Sequence, residues 1–159
     1  MRRKFADELY KWMQNDEDIV VVTCDLGYKM FDAIRERFPD RFYNVGAAEQ
    51  AGMGVAVGLA LKGKKPFIYS ITPFLLYRPF ETIRNYINHE KIAVRLVGGG
   101  RDDDYKHDGY SHYAGEDKTV IENCFPNITR CWPMNDDQVV ETLNAMVTQN
   151  IPWYVNLRR

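Results

Sequence analysis

Five consecutive β-branched residues, Ile19-Val-Val-Val-Thr23, constrain this chain more than any other feature. The run has no polar face, so as a strand it must be covered on both sides. The preceding segment, Phe5 to Met13, spaces Phe5, Leu9, Trp12 and Met13 as one helix face. The same alternation continues along the chain. Helices are expected at Tyr28 to Phe38, Glu49 to Leu61, Pro79 to Asn88, Thr119 to Asn123 and Asp136 to Thr148. Strands are expected at Phe42 to Val45, Pro66 to Tyr69, Ile92 to Val97, Ile128 to Trp132 and Trp153 to Leu157. Pro39 and Gly63 stop two of the helices, and Pro79 suits a first turn. Strands alternating with helices predict an α/β fold, a three-layer sandwich with a mostly parallel sheet. The length of 159 residues suits one domain spanning 1–159.

Composition narrows the function classes. Lys plus Arg number 21 against 22 Asp plus Glu, a net charge of −1 that lacks the basic excess of a nucleic-acid binder. The longest apolar runs are too short to span a bilayer. Met-Arg-Arg-Lys is followed by Phe-Ala-Asp-Glu and not by an apolar leader core, and three cysteines suit reduced thiols, so a cytoplasmic protein is expected.

Ligands of such sheets sit at the carboxyl ends of the strands. That selects Val45 to Gly54, Ser70 to Arg78 and Gly98 to Asp117. In the first, Glu49 is the one ionisable group among small apolar neighbours. Gly52, Gly54 and Gly58 recur within a helical pattern, where glycine costs stability against alanine, so a close approach to that face is expected. Two readings stay open from these residues alone. Glu49 is either an ordinary first-turn acid favoured by the helix dipole, or a desolvated carboxyl able to share a proton with a ligand nitrogen. A dinucleotide fingerprint does not fit, because Gly52 and Gly54 lie inside the helix and not in the turn before it. Phe74 is likewise either core or an exposed stacking face. The acidic loop with Asp102, Asp103, Asp104, His107, Asp108 and His112 has no regular ligand spacing, and a solvated loop explains it better than a metal site. Cys124 and Cys131 are too far apart for a zinc pair, and Cys24 suits a small buried filler.

Several spaced motifs, taken in order, resemble one family. Asn44-Val-Gly-Ala-Ala-Glu-Gln50 looks like the N-x-G-I-A-E-Q signature of the pyrimidine-binding domain of transketolases, also found in 1-deoxyxylulose-5-phosphate synthase. Phe38-Pro-Asp-Arg-Phe42 precedes it. Pro66-Phe-Ile-Tyr-Ser70, Phe74-Leu, Arg78-Pro-Phe-Glu-Thr-Ile-Arg84, Asp108-Gly-Tyr-Ser-His112, Pro133 and Leu157-Arg158 follow. Tyr110 stands where the family often has proline.

The resemblance implies a thiamine diphosphate enzyme of that fold. In the resembling enzymes the glutamate hydrogen-bonds a ring nitrogen of the aminopyrimidine, favouring the imino tautomer that deprotonates the thiazolium carbon, which then attacks a sugar or 2-oxo acid carbonyl. Glu49 takes that role by resemblance. Phe74, with Tyr77 second, would stack on the ring. Asp108 and His112 would act on the substrate, with His107, Arg78 and Arg158 as further substrate contacts. Arg78 carries the forked guanidinium that suits phosphate. The spacing of Phe74 to Arg78 is one residue longer than in the synthase branch.

In the family, Mg²⁺ and the diphosphate are held by another domain through a Gly-Asp-Gly motif, which this sequence lacks. The resemblance therefore implies one subunit of a split enzyme: inactive alone, partnered by a Gly-Asp-Gly-containing chain that holds Mg²⁺, and forming a homodimer or hetero-oligomer. A small sugar is its expected substrate. A non-catalytic module of the same fold and a subunit of a 2-oxo acid decarboxylase or dehydrogenase are the alternatives.

Overall fold

The computed structural model describes residues 1–159. Its centre is one six-stranded sheet in the order β2-β1-β3-β4-β6-β5, with every neighbouring pair parallel. The strands are β1 (Ile19–Thr23), β2 (Phe42–Asn44), β3 (Lys65–Ile71), β4 (Arg95–Gly99), β5 (Thr129–Cys131) and β6 (Trp153–Leu157). The helices are α1 (Arg2–Asn15), α2 (Asp32–Arg37), α3 (Glu49–Leu61), α4 (Thr72–Tyr77), α5 (Phe80–Thr82), α6 (Asp117–Cys124) and α7 (Asp136–Thr148). A π-helix, Ile83–His89, continues α5.

Alternation along the strands divides the core in two. Ile19, Val21, Phe67, Tyr69, Val97, Trp153, Val155 and Leu157 meet α1, α2 and α7 on one face. Val22, Ile68, Leu96 and Tyr154 meet α3, α4, the π-helix and α6 on the other. Every residue of β1, β4 and β6 is buried, as two-sided coverage of a parallel sheet demands.

The chain leaves β1 for β2 on one side, then crosses back to β3 on the other. This reversal puts a topological switch between the carboxyl ends of β1 and β3, where loops diverge and a crevice forms. Glu49 opens α3, which packs on β1 and β3 at that switch.

Several expected boundaries shift for local reasons. The helix expected from Tyr28 is confined to Asp32–Arg37, because Gly27 (φ 83°) and Lys29 (φ 60°) hold the preceding turn in the left-handed region. The helix expected over 79–88 is α5 and then the π-helix. The strand expected from Ile92 begins only at Arg95 and extends through Gly98 and Gly99. Arg95, in the middle of that apolar run, is fully buried and unpaired with any carboxylate. It donates instead to the backbone carbonyls of Met146, Gln149 and Ala93 at 2.9, 3.0 and 2.6 Å, and so closes the end of α7. Burial pulls its guanidinium down to about 10, still charged at neutral pH.

Candidate active site

Glu49 is the first residue of α3 and is 1% exposed. Its two carboxylate oxygens have different partners. Ser70 Oγ, from the end of β3, donates to Oε1 at 2.9 Å, and that hydroxyl is itself buried. Arg78 Nη1 donates to Oε2 at 2.6 Å. The amino end of a 13-residue helix adds a favourable field for the negative charge. Glu49 is therefore not surrounded by apolar groups alone, as its sequence neighbours suggest. A hydroxyl and a guanidinium reach it from 21 and 29 residues away.

Behind the carboxylate lies Cys24, at the end of β1. Burial, then the Glu49 charge, pushes its thiol up to about 12. Gly52 explains the close approach: a Cβ there would lie 3.0 Å from Val45 Cγ2 and 3.2 Å from Cys24 Sγ. At Gly54 and Gly58 a Cβ would meet no atom of this chain within 4 Å.

Phe74, on α4, is half-buried. The Arg78 guanidinium carbon stands 3.8 Å from the centre of its ring, and the His112 ring packs against it edge-on at 4.9 Å. The structure thus brings together Glu49, Phe74, Arg78 and His112. Arg78, expected at a substrate phosphate, here spends its guanidinium on Glu49 and Phe74. Tyr77 points elsewhere, donating to Glu116 at 2.9 Å. Burial, then that carboxylate, pushes its phenol up.

The remaining expected residues sit on the loop after β4, folded as two short turns, Lys106–Asp108 and Tyr110–His112. Asp108 and His107 are exposed and lie 3.4 Å apart. Ser111 Oγ engages His112 Nδ1 at 3.0 Å. Arg158 reaches Asp102 at 2.8 Å, and Asp104 accepts from the backbone N–H groups of Arg101 and Arg159. The acidic run thereby ties the loop to the chain's last residues. No group of three or more His, Cys, Asp or Glu is placed to hold a metal ion.

Two features escape sequence reasoning. Asp117 is buried, and its Oδ2 accepts from Trp132 Nε1, Tyr154 OH and Asn156 Nδ2 at 2.8, 2.7 and 2.7 Å. Asn156 Oδ1 in turn accepts from Thr72, which also donates to the Gly100 carbonyl. This polar node joins the start of α4, which carries Phe74, to both ends of the loop that carries His112. The second is a cavity of about 200 Å³ lined by Arg2, Arg3, Lys29, Tyr69 and Tyr105. Tyr69 and Ser70 are neighbours on β3, so the cavity and Glu49 lie on opposite faces of the same strand end. Its one local signal is the left-handed turn at Lys29, and left-handed geometry is not legible in lysine.

The donor set can be tested against an aminopyrimidine. Such a ring is flat, carries N–H groups and has an apolar face. The guanidinium between Phe74 and Glu49 is also flat and N–H-bearing, and it makes one stacking contact and one charge-assisted hydrogen bond. Glu49 and Phe74 therefore fit that group.

Comparison with known proteins identifies the family. The family described as "Transketolase, pyrimidine binding domain" matches residues 1–159. A 6-deoxy-6-sulfo-D-fructose transketolase subunit of Clostridium sp. (strain MSTE9) is 28% identical over 100% of this chain and 49% of its own length. An apulose-4-phosphate transketolase subunit of Phocaeicola vulgatus is 28% identical over 99% of this chain and 51% of its own. A solved structure described as "Split gene transketolase, inactive beta4 tetramer" superposes with a TM-score of 0.86 at 32% identity, covering 99% of this chain and 51% of that one. The chain thus spans about half the length of these relatives, and across that span it belongs to the family of transketolase pyrimidine-binding domains.

Proposed function

We propose that this chain is the pyrimidine-binding part of a split transketolase-like enzyme that transfers a ketol unit between sugar-type substrates. It is inactive until it meets a Gly-Asp-Gly-containing chain that holds the diphosphate and Mg²⁺. One observation carries the reading: a fully buried carboxylate, Glu49, turns one oxygen toward a flat cationic group stacked on Phe74. Thiamine diphosphate, when bound, supplies the electron sink.

The chain's own residues do the rest. Glu49 accepts from a ring nitrogen and holds the shared proton, with Ser70 fixing its other oxygen. Phe74 gives the ring a face to lie on, with Tyr77 at the far end of α4. His112, whose ring position is set by Phe74 and Ser111, exchanges a proton with the reacting oxygen. Asp108 accepts from a sugar hydroxyl, with His107 and Arg158 as further substrate contacts. A sugar with an anionic substituent suits the guanidinium groups of Arg78 and Arg158. The split relatives, one named for a sulfo-sugar and one for a sugar phosphate, support this reading. No helix is long and apolar enough to cross a membrane, and three free thiols support a place in the reducing cytoplasm.

The test is reconstitution. This chain and a Gly-Asp-Gly-containing chain are purified separately, then mixed with thiamine diphosphate, Mg²⁺ and a ketose donor. Ketol transfer is expected only in the mixture. Transfer by either chain alone, or cofactor binding without any transfer to an aldehyde, contradicts the proposal.

A further inference from the structure

We propose that Arg78 is an internal competitor for the thiamine ring, its guanidinium occupying the place between Phe74 and Glu49 until the aminopyrimidine displaces it. The inference rests on the reading of Glu49 and Phe74 given above and adds a step to it.

Both contacts that a ring would make are already taken. Arg78 Nη1 lies 2.6 Å from Glu49 Oε2, and the guanidinium carbon lies 3.8 Å from the Phe74 ring centre. A planar cation over an aromatic face, with one N–H on a carboxylate oxygen, satisfies the same stacking and hydrogen-bonding demands as a flat heterocycle. The two cannot share that volume.

There is a physical reason for such an arrangement. Glu49 is 1% exposed, and a buried charge without a partner is strongly destabilising. Until a ring arrives the carboxylate needs a cation, and Arg78 supplies it. The same side chain is 44% exposed, so its outer side is open and it can turn into solvent without unpacking the core. It extends from the residue just after α4, whose backbone stays helical. When the ring arrives, Glu49 exchanges one N–H donor for another and never stands unpaired. Arg78 is then released at the rim, beside Phe74, where a guanidinium suits an anionic substrate group.

Competition lowers apparent affinity by the fraction of molecules in which the site is open. Removing the competitor must then tighten cofactor binding, the opposite of what loss of an ordinary binding residue does. The experiment uses this chain assembled with its diphosphate-binding partner and titrates thiamine diphosphate with Mg²⁺ by calorimetry. The cofactor-free melting temperature is recorded in parallel. Arg78→Gln is expected to lower that melting temperature while tightening the apparent Kd about fivefold or more. Arg78→Lys keeps the charge but loses the flat stack, and is expected to tighten binding by a smaller factor. It carries the test if Arg78→Gln does not fold. Unchanged or weakened binding in the folded variants overturns the proposal. Glu49→Gln separates the two failures through the thiazolium C2 proton of bound cofactor: if that proton exchanges at the wild-type rate, the reading of Glu49 itself is wrong. If its exchange slows while the Arg78 variants do not tighten, only the competitor role falls.

Discussion

Ser70 Oγ donates to Glu49 Oε1 at 2.9 Å, and both side chains are buried. The pair joins the carboxyl end of β3 to the first turn of α3 at the topological switch. Ser70→Ala leaves a buried carboxylate oxygen without its donor. The expected cost is about 1–3 kcal/mol of folding stability, because a charged acceptor loses its partner without regaining water. Chemical denaturation of wild type and variant measures it, and Ser70→Thr should recover part of the loss.

Asp117 should matter more to stability than any other acid in the chain. Three buried or part-buried donors converge on its Oδ2. Asp117→Ala orphans all three, with an expected loss of about 3 kcal/mol or more. Tyr154→Phe removes one donor only and should cost about 1 kcal/mol. Burial, then the Asp117 carboxylate, pushes the Tyr154 phenol well above its usual range. A group raised on folding contributes stability that is whole below its unfolded pKa and lost as pH rises above it. Stability should therefore decline from about pH 10 upward, and Tyr154→Phe should flatten that decline. Denaturation midpoints across alkaline pH check it.

Much of this is legible in the sequence, and the exceptions have physical causes. The bounds of β1, α3, α7 and β6 match the pattern, since each is set by an apolar run or a cap. Asn135, for example, accepts from the Gln138 backbone N–H at 2.9 Å and starts α7. The turn at Gly27 to Lys29 reads as helix because lysine at a positive φ leaves no mark in composition. The π-helix reads as α-helix because one period imitates the other over seven residues. Glu49 is found through a local motif. Its pairing with Arg78 is not, because an ion pair spanning 29 residues depends on how α3 and α4 converge at the sheet edge. The Asp117 node is hidden for the same reason: its donors come from β6 and from the segment after β5.

Two glycines test the packing in opposite directions. At Gly98 a Cβ would lie 2.6 Å from Thr72 Oγ1, at the start of the helix that carries Phe74. Gly98→Ala should cost about 1–3 kcal/mol by overpacking. At Gly54 a Cβ meets nothing in this chain. Gly54→Ala should stabilise the isolated chain by about 0.8–1 kcal/mol through helix propensity. Thermal melts of the two variants, run side by side, report both signs.

The cysteines should separate cleanly in a thiol titration. Cys124 is exposed, whereas Cys24 is buried behind Glu49 with its thiol pushed up to about 12. At about pH 8 a disulfide reagent should modify Cys124 quickly and Cys24 only after unfolding. Because the Cys24 pKa is raised on folding, its share of stability is whole below about pH 8.5 and fades toward about pH 12. Cys24→Ala should remove that part of the alkaline slope.

The proton-holding role of Glu49 is tested most directly by the exchange of the thiazolium C2 proton of bound thiamine diphosphate for deuterium, in this chain assembled with its diphosphate-binding partner. Glu49→Gln keeps the shape and removes the charge. It is expected to slow exchange by about 10²–10⁴-fold, the usual weight of a positioned acid–base group, while the assembled complex still forms. Exchange at the wild-type rate in a folded, assembled Glu49→Gln complex would contradict the account.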